Sequence, residues 1–145
     1  MDFFNRLIVA LTELHPTHPM IVHFPIALTG AAFLFILIAE WKKNLAFEQA
    51  AFFNIALAAI STIVAGITGY IDNINNYVGE APNASIKIFL AITLFLLTAS
   101  ISIIRYRNPE IFTKGNHALY ITAYGISFFI AIVLAFLGGV ILYGF

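Results

Sequence analysis

Hydrophobic positions along this chain come in long unbroken blocks, wider than the single stripe that a soluble amphipathic helix needs. Four blocks stand out: residues 20–39, 50–71, 88–104 and 118–143. A rise of about 1.5 Å per residue lets each cross a hydrocarbon layer of roughly 30 Å as a helix, the third being short and the fourth long enough to tilt. The third extends back to Ile86 if the Lys87 ammonium snorkels to the surface along its apolar stem. Strands do not account for the pattern, because lipid offers backbone groups no water and the chain has no set of alternating segments to close a barrel. Polar breaks separate the blocks: Glu40-Trp41-Lys42-Lys43 after the first, Asp72 and a run of Asn after the second, and Arg105 to Glu110 after the third. The pattern predicts an all-α fold, an integral membrane four-helix bundle forming one domain over residues 1–145.

The opening segment, Met1 to Pro16, is apolar but too short to span. It carries neither a basic leader nor a small-residue cleavage site, so it is expected to be retained. Phe4, Leu7, Ile8 and Leu11 share one helical face while Arg6 and Glu13 reach water. That arrangement predicts a short amino-terminal interfacial helix of roughly three turns, with packing beside the bundle as the alternative.

Composition strengthens this picture. The chain is 61% hydrophobic and 10% charged, whereas about one quarter of a soluble domain is charged. Seven Lys and Arg balance seven Asp and Glu, so no excess of charge points to nucleic acid, and membrane lipid is the expected surrounding. The absence of Cys excludes disulfides, thiolate ligands, covalent haem attachment and cysteine nucleophiles. Lys42, Lys43, Arg105, Arg107 and Lys114 fall in or beside the first and third connections, against Arg6 and Lys87 on the other side. The bias predicts a multi-pass protein with both termini and the connection from Asp72 to Ser85 outside the cytoplasm. Trp41, Tyr70, Tyr106, Tyr120 and Tyr143 lie near span ends and read as interfacial anchors.

Candidate chemistry gathers at the outer end of the first block. The run Leu14 to Leu28 holds His15, His18 and His23 among Pro16, Pro19 and Pro25. Pro19 suits a first helical turn, where its missing donor is no loss. Pro25 cannot donate to the Ile21 carbonyl, so the span is expected to bend or begin irregularly there. A neutral imidazole donates through one ring nitrogen and accepts, or binds a metal, through the other. The same residues serve equally well as caps and headgroup contacts. On the second block Ser61, Ala65, Gly69 and Asp72 follow helical offsets that make a narrow small-residue face ending in a carboxylate. Lys87 joins this end from the third block, while Glu80 is expected in solvent. His117 belongs to the opposite interface, separated from His23 by roughly the 30 Å thickness of the layer. Gly125, Gly138 and Gly139 read as packing positions in the fourth block.

The run His18-Pro19-Met20-Ile21-Val22-His23-Phe24-Pro25-Ile26-Ala27-Leu28, with Gly66 to Asp72 and Gly138-Gly139, resembles the DUF2231 family of predicted four-span bacterial membrane proteins. The resemblance covers nearly the whole chain. It implies a prokaryotic inner or plasma membrane location and draws attention to His18, His23 and Asp72. Some relatives occur joined to cytochrome-like domains, which implies a membrane redox role. Many relatives have a histidine near the start of the third span, where this chain has Asn83 to Ile88; His15 or His18 would have to substitute.

Three functions follow as expectations. The first is a small membrane redox subunit binding b-type haem or a divalent metal, with His15, His18 and His23 as cofactor ligands and Asp72 joining His18 and His23 at a metal. A bis-histidine site would use two outer histidines of one chain, or His23 from each member of a homodimer. The second is a structural or assembly subunit that binds other membrane subunits and has no cofactor. The third is a small-solute or proton transporter using His23 and Asp72.

Overall fold

The computed structural model describes residues 2–9 and 17–143, with side chains described except at 7, 9 and 141–143. Every regular element among these residues is helical: α1 (Phe3–Val9), α2 (Thr17–Lys42), α3 (Leu45–Tyr77), α4 (Ala84–Arg107), the one-turn α5 (Ile111–Lys114) and α6 (His117–Tyr143). Four of these, α2, α3, α4 and α6, are long and apolar enough to cross a membrane. They form a ring in which α2 packs on α3 and α6, and α4 packs on the same two helices from the other side. The short connections make sequential neighbours antiparallel, so the protein is a multi-pass membrane bundle.

Local sequence explains where the helices stop. Lys43, at φ 50°, turns the chain after α2, and the Asn44 side chain accepts the Ala46 amide at 2.9 Å to cap α3. At the far end of α3, Val78 and Gly79 both take positive φ, and the Gly79 amide donates to the Asn73 carbonyl at 2.9 Å. Asn116 accepts the Leu119 amide through its side chain at 3.2 Å and so caps α6. His117, one residue later, lies exposed at the surface.

One expectation needs revision. The connection was expected to run from Asp72 to Ser85, but α3 runs on past the apolar block to Tyr77 and carries Asp72, Asn73, Asn75 and Asn76 on helix. The connection to α4 is therefore only residues 78–83. At 33 residues α3 is about 50 Å long, well beyond the hydrocarbon thickness, so its polar last turns need no apolar surroundings. The first span is one continuous helix: α2 starts at Thr17 and continues through a buried Pro25. Thr29 donates to the Pro25 carbonyl at 2.7 Å, which gives that stretch a side-chain bond. In α1, Phe3 and Phe4 are largely exposed, as a helix at an interface requires; Leu11 and Glu13 lie outside the described residues.

The core is built from matched stripes. Ala32, Ile36 and Ala39 on α2, and Ala51, Ile55 and Ala58 on α3, repeat one spacing and are all fully buried. Offsets of four and three keep each stripe on one helical face, and the alanines let the two backbones approach. Between α2 and α6 the fit is reciprocal. A Cβ on Gly30 would lie 3.0 Å from the Phe128 ring, and one on Gly125 would lie 3.1 Å from the Phe33 ring. Buried hydroxyls occur on all four long helices, at Thr29, Thr62, Thr98 and Ser127. Each bonds back to its own helix, to Pro25, Ala58, Leu94 and Ala123 respectively, so none goes unsatisfied. Outward faces carry Phe53, Leu57, Ile60, Phe89, Phe129 and Phe136 in exposed positions, a surface suited to lipid rather than water.

Candidate functional site

Antiparallel packing gives the bundle two chemically distinct ends. One brings together the start of α2, the end of α3 and the start of α4. There the His18 ring lies over α3, its Nδ1 3.3 Å from Thr68 Oγ1. Thr68 has one hydroxyl proton, which points to the carbonyls of Val64 and Ala65, each at 3.1 Å. With that proton on a carbonyl, the Thr68 oxygen accepts from His18 Nδ1 in the tautomer that carries its proton there. Gly69 makes the seat for this ring, because a Cβ there would lie 2.8 Å from His18 Cε1. Asp72, one turn on, takes a hydrogen bond from Asn76 Nδ2 at 2.5 Å. Asp72 and Lys87 are both half-buried and within electrostatic reach of the His18 ring.

His23 is arranged differently. Its ring is exposed, and Nδ1 lies 2.5 Å from the Pro19 carbonyl of its own helix. A carbonyl only accepts, so Nδ1 carries a proton, and in the neutral ring Nε2 is the nitrogen with the lone pair. His18 and His23 are five residues apart on α2, about 140° around the helix axis. The fold thus joins His18 with Thr68, Gly69, Asp72 and Lys87, while His23 faces away from them. His15 lies outside the described residues. Among the described residues no three His, Asp or Glu side chains converge as a metal cluster. Glu80 is exposed, as expected.

The opposite end holds a buried network that sequence reasoning did not assemble. Glu48, in the first turn of α3, is 1% exposed, and Arg105, in the last turn of α4, is 17% exposed. They pair in a fork: Arg105 Nε to Glu48 Oε1 at 2.6 Å and Nη2 to Oε2 at 2.8 Å. Phe52 lies beneath the guanidinium, 5.5 Å from centroid to Cζ. Tyr120 Oη donates to Glu48 Oε1 at 3.0 Å and lies 2.9 Å from Tyr124 Oη. The carboxylate can only accept, so it claims the Tyr120 proton, and Tyr124 is left to donate to Tyr120. The chain of bonds runs in one direction, from Tyr124 to Tyr120 to Glu48.

Tyr120 is consequently not an interfacial anchor: it is 5% exposed, because its hydroxyl is drawn inward to the carboxylate. Arg105 likewise belongs to α4 and to the interior, not to a solvated connection. Trp41 and Tyr106 do lie exposed near helix ends, Tyr70 is exposed two turns inside the end of α3, and Tyr143 is among the side chains not described. A signal for Glu48 was present in its spacing. It precedes Ala51, Ile55 and Ala58 by helical offsets that put it on the buried stripe.

The family model described as "Predicted membrane protein (DUF2231)" matches residues 14–145. The chain belongs to the DUF2231 family. No curated protein and no solved structure is significantly similar to it. For this family member the chemistry must therefore be argued from its own two ends. The His18 end offers a half-buried carboxylate, ammonium and imidazole, able to meet a dipolar group or pass a proton. His23 offers an imidazole lone pair on the outer surface of the bundle. The Glu48 end offers a charge pair already satisfied by its neighbours.

Proposed function

We propose that this protein is a small redox subunit of a prokaryotic inner or plasma membrane, with His23 as its cofactor ligand. The observation that supports this reading is the state of the His23 ring: Nδ1 is committed to the Pro19 carbonyl and Nε2 keeps a lone pair on an exposed face. Imidazoles that bind metals or haem iron are commonly fixed in this tautomer by a carbonyl on the other nitrogen. A b-type haem held there would supply one-electron transfer, and a divalent metal would use the same lone pair. Because His18 lies on a different face of α2, the described part of the chain offers one imidazole in that direction. The second ligand is then His23 of a second copy or a group on another membrane subunit. His18 and Asp72 remain nearby as polar neighbours held by Thr68, Gly69 and Asn76 rather than as a convergent metal set.

Expression with haem supply, followed by reduced-minus-oxidised spectra and metal analysis of purified protein, tests the proposal. Stoichiometric haem or metal that is lost in His23→Ala and kept in Lys87→Ala is the expected result. Wild-type protein carrying neither would overturn it. A second reading, an assembly subunit with no cofactor, draws on the mutual satisfaction of His18 with Thr68 and of Asp72 with Asn76. Co-purification of a membrane partner with cofactor-free protein in mild detergent is its signature.

A further inference from the structure

Helix α4 is the least anchored of the four long helices. It buries only Leu94, Thr98 and Ile101, whereas α3 buries residues from Glu48 to Ala65. Beyond Ile101 toward its carboxyl end, Ile104 and Tyr106 are exposed, and Arg105 makes the inward hydrogen bonds. Its guanidinium holds α4 to α3 through Glu48, and to α6 through the oxygen that Glu48 shares with Tyr120. Directly inside this contact lie the fully buried Ala51 and Ile55. Deeper along the bundle are the buried hydroxyls of Thr98 and Ser127.

We propose that the Glu48, Arg105, Tyr120 and Tyr124 cluster is a gate: paired, it seals this end of the bundle, and parted, it lets the carboxyl end of α4 swing away from α3 and α6 while Leu94 stays packed on Ile130 and Ala131. Two considerations favour a gate over a fixed strut. A charge pair in a protein interior loses much of its attraction to desolvation, and apolar residues of similar size often fill such space with equal or better stability. Glu48 and Arg105 also sit in terminal turns, Glu48 at a helix amino end and Arg105 at a carboxyl end, where the helix dipoles favour each charge. On parting, both groups need only a short excursion to reach water or headgroups, so the open arrangement is not penalised by a stranded charge. Two discrete arrangements of one packed element are the physical basis of a switch. α2 takes no part in the pairing; at this end Ile36 and Ala39 pack into one core with Ala51 and Ile55 of α3 and with Tyr120 and Tyr124 of α6, and Phe35 stacks on Phe47 of α3, so α2 can stay with α3 while the end of α4 moves. Such a gate is what the transporter alternative would require, and it stands or falls independently of any cofactor on His23.

The chain has no native Cys, so single cysteines report accessibility without background. Ile55→Cys sits behind the gate, and Ala131→Cys sits in the separate buried cluster with Leu94 and Ile130. Both should resist a water-soluble maleimide in reconstituted full-length protein. Adding Glu48→Gln should speed labelling of Ile55→Cys by at least about tenfold, well within what breaking a buried pair can release, while Ala131→Cys stays protected. Unchanged protection of Ile55→Cys in the Glu48→Gln background would overturn the gate. Labelling of both cysteines together would overturn it too, because that is loss of the bundle rather than opening of one end.

Discussion

His18 and Gly69 illustrate how one atom decides the arrangement of the candidate site. The imidazole occupies the space that any side chain at 69 would need, and a Cβ there would fall 2.8 Å from His18 Cε1. A Gly69→Ala variant must therefore push the ring off Thr68. Gly66, one turn earlier, has nothing within 4 Å of an added Cβ, so Gly66→Ala is the matched control. Helix propensity alone would favour alanine at both positions by about 1 kcal/mol. Gly66→Ala should take most of that gain, while Gly69→Ala should lose it or become destabilising. Thermal unfolding in detergent gives the ranking, and the ring signals of labelled histidine show whether His18 moved. Equal stabilisation by both substitutions, with unchanged histidine signals, would mean that Gly69 does not seat the ring. The redox proposal separates from this result because it rests on His23, whose ring donates to the Pro19 carbonyl of its own helix and not to α3.

Among the elements, α3 ends on an unusual residue. Val78 is β-branched, is exposed and sits at φ 53°, a left-handed conformation that costs roughly 1–2 kcal/mol for an L-residue. Since little packing is lost on its replacement, Val78→Asn should raise stability by up to about 1 kcal/mol, Asn tolerating that conformation far better. An unchanged or lower unfolding temperature would show that the turn holds no such strain. The same helix shows what sequence could and could not reveal. Length and hydropathy were enough to find all four long helices, because the need to satisfy backbone groups in lipid leaves helix as the consistent choice. They could not find the end of α3, since Asp72 and the asparagines beyond it are polar without being helix-breaking. Nor could they assemble Glu48 with Arg105, which are 57 positions apart and meet only because α3 and α4 are antiparallel. The His18 contact with α3 was partly legible: Gly69 and Asp72 share the small-residue face that α2 approaches. That His18 and His23 diverge was legible in their spacing of five, and the clustering of histidines in sequence concealed it.

For the molecule as a whole, the pairing of Arg105 changes how the charge asymmetry is counted. Removing it leaves Lys42, Lys43, Arg107 and Lys114 at the Glu48 end, against Arg6 and Lys87 at the other. Topology follows basic residues near span ends rather than net charge, so Glu40 and Glu110 do not cancel the bias even though they pair with Lys43 and Lys114. The Glu48 end should therefore face the cytoplasm, with both termini and the His18 end outside. Glu80 and Thr113 are exposed on opposite sides of α4, and a cysteine at either one reports its side without native thiols to confuse it. Glu80→Cys should react with an impermeant maleimide in intact cells, and Thr113→Cys only after permeabilisation. The reverse pattern would invert the orientation and place His23 toward the cytoplasm. Reaction of both from one side would mean that α4 does not cross, which would also leave Arg105 without a membrane end to close.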